Sequence, residues 1–188
     1  MAERYPSHMD RAVPRLPFAW WIEPGRLLGG GYPGHGRPDV AERQLGALLD
    51  VGISRVLDLM EEDPRGAPPY EPTLSELAAR RNRRIEVRRV PIEDHEVTDA
   101  AALVQLEVWL DALQHCSAIG YLPGWGGRGR TGVAAGVYRI RHRGAAAADV
   151  LPWIAGARAG LPGDSPESDE QRRFLLEYAA RRRSADPR

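Results

Sequence analysis

The order of patterns along the 188 residues predicts an α/β fold: a central, mostly parallel sheet flanked by helices, with a helical C-terminal third. Three observations carry that expectation. Strand-like apolar runs alternate with amphipathic stretches from Phe18 to Pro123, a glycine-rich turn at 124–132 joins an apolar run to a helical one, and the 56 residues after Gly132 are helical in pattern throughout.

Taken in order, FAWWIEPGRLLGGGYPG (18–34) reads as a short hairpin broken by Pro and Gly, with Trp20 and Trp21 packing it onto the core. DVAERQLGALLDVG (39–52) has apolar residues at helical spacing and ends on Gly52 at a C-terminal cap position. RVLDLM (55–60) is a strand, and EEDPRGAPP (61–69) an acidic loop. A helix over about Glu71–Arg83, a strand IEVRRVPI (85–92) and a helix from an N-cap Thr98 to about Cys116 follow. The apolar run AIGYLP (118–123) leads into the glycine-rich turn, after which three helical stretches complete the chain; the last has Ser165 as cap and Pro166 at its first position. Residues 1–17, polar with Pro6, Pro14 and Pro17, read as a flexible segment, 18–180 as one domain and 181–188 as a charged tail.

Composition narrows the function. Hydrophobic residues at 43% and charged residues at 28% are ordinary globular values, and Gly and Pro at 20 and 16 stay below the low-complexity range. Acidic and basic residues balance at 26 each, which argues against wholesale binding to nucleic acid or to a membrane surface, so any anion site is local. Every basic residue apart from histidine is Arg, the better bidentate phosphate ligand. A single cysteine, Cys116, offers neither an internal disulfide nor a zinc set, and the five histidines show no ligand spacing, so no metal or other cofactor is expected. The charged N-terminus lacks the apolar run of a signal peptide, and no run is long enough to span a membrane; the expectation is a cytoplasmic protein.

The chemistry lies in Gly124-Trp125-Gly126-Gly127-Arg128-Gly129-Arg130-Thr131-Gly132. Glycines at a strand-to-helix turn let successive backbone N–H groups converge, and the helix N-terminus adds partial positive charge, so the segment is an anion cradle. Its letters fit three patterns. Gly127, Gly129 and Gly132 spell G-x-G-x-x-G; Gly124, Gly129, Arg130 and Thr131 spell an NTPase loop with Arg for Lys. Both belong to a first strand–helix turn with more strands after it, and the NTPase reading also lacks its Lys and a later strand ending in a Mg²⁺-binding Asp.

The third pattern is H-C-x-x-x-x-x-R-[ST]-G, the signature loop of cysteine-based protein phosphatases, found late in the chain between the last strand and a helical tail. From Phe18 to Ala180 the chain resembles that family, in particular the small dual-specificity members of the kinase-associated and lipid-phosphatase-like type. The resemblance implies a phosphatase-like α/β fold. It places the phosphate-binding loop on Trp125, Gly126, Gly127, Arg128, Gly129, Arg130 and Thr131, the general-acid position on Asp94, and a possible water-orienting Gln on Gln171. One departure is decisive: Gly124 stands at the nucleophile position, and Pro123 where the family has His. Glycine supplies no thiolate. Cys116 is eight residues upstream and cannot replace it. The resemblance therefore points to a pseudophosphatase that binds a phosphate monoester on a phosphorylated protein, with a weak phosphatase using water as nucleophile beside Asp94 as the alternative.

The remaining candidates have simpler readings. Asp94 is also an ordinary turn residue type, and Asp58 with Glu61, Glu62 and Asp63 reads as a solvated acidic loop. His95 is the one histidine expected near the site, and Trp125 is placed to line its rim.

Overall fold

The computed structural model describes residues 16, 18–62, 64–94 and 96–185. Five strands form one sheet in the order β1-β2-β5-β3-β4: β1 Trp20–Glu23, β2 Leu27–Gly31, β3 Ile53–Asp58, β4 Glu86–Arg89 and β5 Ile119–Gly124. Only the hairpin partner β1 is antiparallel; β2, β5, β3 and β4 run parallel, as the alternation of strand and helix patterns predicts. Because β2, β3 and β5 share a direction, Gly31, Asp58 and Gly124 end at one edge of the sheet.

Side chains that alternate along each strand divide the core in two. Leu27, Leu57 and Leu122 face a layer built from α3 (Ala100–Gln114), α4 (Gly129–Arg143), α5 (Ala147–Ala157) and α6 (Asp169–Ala185). Their neighbours Leu28, Val56 and Tyr121 face α1 (Pro38–Val51) and α2 (Glu71–Arg80) on the other side. Trp20 is buried in the first layer and Trp21 packs against the second, so the hairpin is held from both faces.

Helix ends follow local chemistry. Pro38 opens α1, and Gly52, with φ 95°, closes it by donating its N–H to Leu48 and Leu49 carbonyls. The cap of α3 is Asp99, not Thr98: the Asp99 carboxylate accepts from Ala102 N at 2.7 Å, while the Thr98 hydroxyl lies on the Asp99 carbonyl. The last helix begins at Asp169 and not after Ser165. Ser165 Oγ donates instead to the Arg128 carbonyl at 2.8 Å, and Ser168 Oγ accepts from Gln171 N at 3.2 Å. At its far end α6 runs on to Ala185, so 181–185 of the expected tail are helical, with 181–184 exposed.

The helix that carries the site is also the most buried. Small residues make this possible: a Cβ on Gly136 would lie 2.4 Å from Leu175 Cδ1, so only glycine lets α6 approach α4 there. Among the described residues no helix is long and apolar enough to cross a membrane.

Candidate phosphate-binding site

The glycine-rich segment leaves β5 at Gly124 and enters α4 at Gly129, and it borders a cleft of about 440 Å³. Three of its carbonyls are held from outside. Tyr32 N donates to Trp125 O at 3.1 Å, Trp20 Nε1 to Gly127 O at 3.3 Å and Ser165 Oγ to Arg128 O at 2.8 Å. In a trans peptide the following N–H points the opposite way, so the amides of Gly126, Arg128 and Gly129 are turned away from those donors. The same three residues line the cleft, at the N-terminus of α4. Gly127 has φ 65°, and a Cβ on it would lie 2.7 Å from the Gly30 carbonyl carbon; both facts demand glycine.

Gly124 sits at the base of this loop. A Cβ placed on it would come 2.8 Å from Thr131 Oγ1, whose residue is fully buried beneath it. Arg130 lines the cleft but is 4% exposed, and it is not bare: Nη1 donates to Glu61 Oε2 and to the Ile92 carbonyl, each at 3.0 Å, and Nη2 donates to Asp94 Oδ1 at 3.0 Å. Among the described residues Nε takes no partner and Nη2 makes one of its two donations, which leaves donors of the guanidinium for a ligand.

Asp94 lines the cleft and is engaged at both oxygens, Oδ1 by Arg130 and Oδ2 by Arg65. Gln171 also lines the cleft and is fully buried; its Oε1 accepts from Glu167 N and Ser168 N, and its Nε2 donates to the Glu96 carbonyl at 3.0 Å. It stands against Gly129, where a Cβ would lie 3.0 Å from Gln171 Oε1. Arg128 pairs with Glu167. Trp125 stands on the rim, 38% exposed, stacked on Tyr32 with centroids 6.1 Å apart and with the Arg65 guanidinium 5.0 Å from its ring centroid.

Two expectations are corrected. Asp58 is not solvated: it is fully buried at the end of β3, accepting from Met60 N at 2.9 Å and from the Tyr70 hydroxyl at 3.1 Å, with Arg89 at 3.7 Å. Burial pushes its carboxyl up to about 6, against the opposing pull of the Met60 amide, Arg89 and Tyr70. Tyr70 in turn meets Tyr32 edge-on at 5.2 Å, so Asp58 braces the aromatic stack that ends on Trp125. Glu61 likewise belongs to the site, as counter-ion to Arg130, whereas Glu62 is exposed. Asp63 and His95 lie outside the described residues. Cys116 is exposed and precedes β5; six residues of strand, about 20 Å at ~3.3 Å each, separate that end of the sheet from Gly124.

Sequence reasoning also passed over Phe18 and Arg65, both lining the cleft. Only the place of Arg65 in the acidic loop marked it as unusual. Among the described residues no strand follows β5, whereas the dinucleotide and NTPase patterns require later strands.

Neither a protein-family model nor a curated protein matches the sequence. Solved structures do match over most of its length. Tk-PTP in its active form superposes with a TM-score of 0.68 at 23% identity, over 88% of this chain and 98% of that one. PTPMT1 in complex with PI(5)P gives 0.66 at 17%, over 89% and 98%. The human tyrosine phosphatase-like serine/threonine/tyrosine-interacting protein gives 0.64 at 16%, over 87% and 97%. The chain thus has the phosphatase-like α/β fold, with its glycine-rich loop at the strand-to-helix junction. The likeness lies in the fold, that of phosphatase domains.

Proposed function

We propose that the chain binds a phosphate monoester, carried by a phosphorylated protein, in the cleft above residues 124–131, and does not hydrolyse it through a phosphocysteine. The observation that carries this reading is Gly124 at the base of an otherwise complete cradle. Gly126, Arg128 and Gly129 supply backbone amides, α4 its N-terminal partial charge, and Arg130 its remaining guanidinium donors. Thr131 and Gln171 hold the loop from below and behind. No side chain at 124 can attack phosphorus, and the Cys116 thiol is at the other end of β5. A fold shared with a tyrosine phosphatase-like interacting protein supports a binding role.

A second reading, slow hydrolysis by a water beside Asp94, draws on the position of Asp94 in the same cleft. Both Asp94 oxygens accept from guanidinium groups. Calorimetry with inorganic phosphate and phosphopeptides, beside turnover and acid-quench trapping with an aryl phosphate, tests the proposal. Binding without turnover or phosphoenzyme is expected. Turnover that survives repurification and is abolished by Asp94→Asn would overturn it in favour of the second reading.

A further inference from the structure

The sheet is open along β4. Its residues pair with β3 on one side, and among the described residues no strand pairs with them on the other. Val90 N donates to the Asp58 carbonyl at 2.8 Å, so by alternation the backbone groups of Glu86 and Arg88 also turn toward β3, and those of Val87 and Arg89 turn away from it. Two N–H and two C=O groups therefore stand along the outer edge with no backbone partner among the described residues. Such a row is a template on which another extended chain can pair.

Charge selects what can pair there. From 80 to 89 the chain holds six arginines and one carboxylate, Glu86. Arg80, Arg81 and Arg89 are answered by Glu76, Asp50 and Glu71. Glu86 is shared between Arg55 and Arg88, which leaves one of those two charges over. Arg83 donates to the Leu49 carbonyl, which carries no full charge, and Arg84 is exposed with no partner among the described residues. The edge is thus locally positive in a chain of zero net charge. A second copy of β4 would set arginines against arginines across the new pair, so the edge repels itself; a strand that carries carboxylates is attracted instead.

We propose that the outer edge of β4 is a docking site for an extended acidic segment of a partner protein, which joins the sheet as a further strand. Its backbone pairs with Val87 and Arg89, and its carboxylates lie against Arg84 and Arg88. None of residues 84–89 lines the phosphate cleft, so this inference stands apart from the reading of loop 124–131.

The test titrates the protein with a peptide of alternating Thr and Glu, and with its counterpart of alternating Thr and Lys, while amide hydrogen exchange is followed by NMR. The acidic peptide is expected to slow exchange at Val87 and Arg89 by about tenfold or more at saturation, with Val90, already bonded to Asp58, as the internal reference. The Lys peptide leaves both amides unchanged. Val87→Pro removes one outward donor while leaving the bonds to β3 in place, and lowers affinity by about 2- to 12-fold, the worth of one hydrogen bond. Arg84→Glu, a change at an exposed residue without a partner, lowers it several-fold in a protein whose Tm stays within a few degrees. No binding of the acidic peptide at millimolar concentration, equal binding of the Lys peptide, or binding that leaves exchange at Val87 and Arg89 unchanged overturns the proposal. Protection of these two amides that grows with protein concentration in the absence of peptide also overturns it, in favour of a second copy of the chain.

Discussion

Replacing Asp58 by Asn should stabilise the protein at pH 7 and remove a pH dependence that runs opposite to the usual carboxylate pattern. Burial holds the folded-state carboxyl at about 6 against an ordinary value of 3.8. Between those values the folded state binds more protons than the unfolded state, so stability falls as pH rises from about 4 to about 6. The gap is roughly two pH units, and at 1.36 kcal/mol per unit it amounts to about 3 kcal/mol lost by pH 7. Asn keeps an acceptor for Met60 N but offers the Tyr70 hydroxyl proton a poorer partner, a loss of about 1 kcal/mol. The net expectation is a variant more stable than wild type by about 2 kcal/mol at pH 7 and less stable by about 1 kcal/mol at pH 3.5. Urea unfolding of both proteins at half-unit steps from pH 3.5 to 7.5 measures the difference, and the other carboxylates cancel in the comparison. A wild-type-minus-variant difference that stays flat across this range would refute the assignment of Asp58 as a buried, mostly protonated group below pH 6.

Three further outcomes concern the loop. Arg130→Lys should weaken phosphate binding by one to two orders of magnitude, because an ammonium cannot reproduce a two-donor edge; Arg130→Ala should do at least as much and leave Glu61 and Asp94 without their partner, which calorimetry and thermal unfolding together register. Gly124→Cys should lower phosphate affinity about tenfold or more above the pKa of the new thiol. A thiolate about 4 Å from the ligand repels it by up to roughly 4 kcal/mol at an effective dielectric of 20. The new Cβ also has to displace the Thr131 hydroxyl, and with Pro123→His added, a phosphoenzyme burst should become measurable by acid quench. Gly127→Ala should cost about 2–4 kcal/mol in chemical denaturation, from a left-handed φ and from a Cβ set 2.7 Å from the Gly30 backbone; a cost below 1 kcal/mol would mean that the loop adapts.

The sequence was most legible where short-range chemistry decides. Gly52 closes α1 because it accepts a left-handed φ, a property that does not depend on the rest of the fold. The turn at 124–132 was legible for the same reason: its glycines, Arg130 and Thr131 are local, and β5 and α4 flank it as the pattern requires. Choices between adjacent capping residues were not legible. Thr98 and Asp99 are both good caps, as are Ser165 and Ser168, and the outcome was set by where the chain turned and, for Ser165, by a carbonyl 37 residues away. The surroundings of Arg130 were out of reach for a stronger reason. Its partners Glu61 and Asp94 lie 69 and 36 positions away, and Arg65 reaches Asp94 across 29. Acidic residues after a strand look the same in sequence whether solvent or a guanidinium answers them. Asp58 was misjudged on that account, since only the packing of Tyr70 and Arg89 over the strand end reveals its burial.

Charge pairing inside the cleft bears on how a chain with no net charge would hold the anion proposed for it. A guanidinium as buried as that of Arg130 needs counter-ions, because the desolvation cost is several kcal/mol; Glu61 and Asp94 offset it. Arg65 shares Asp94, and Arg128 is answered by Glu167, so three arginines of the cleft face three carboxylates. Long-range attraction is therefore weak, and on the proposed reading a phosphate is recognised at contact: by loop amides turned from their scaffold, by the N-terminus of α4 and by the remaining donors of Arg130. Such recognition is short in range and does not distinguish one phosphate ester from another, because each offers the same terminal oxygens.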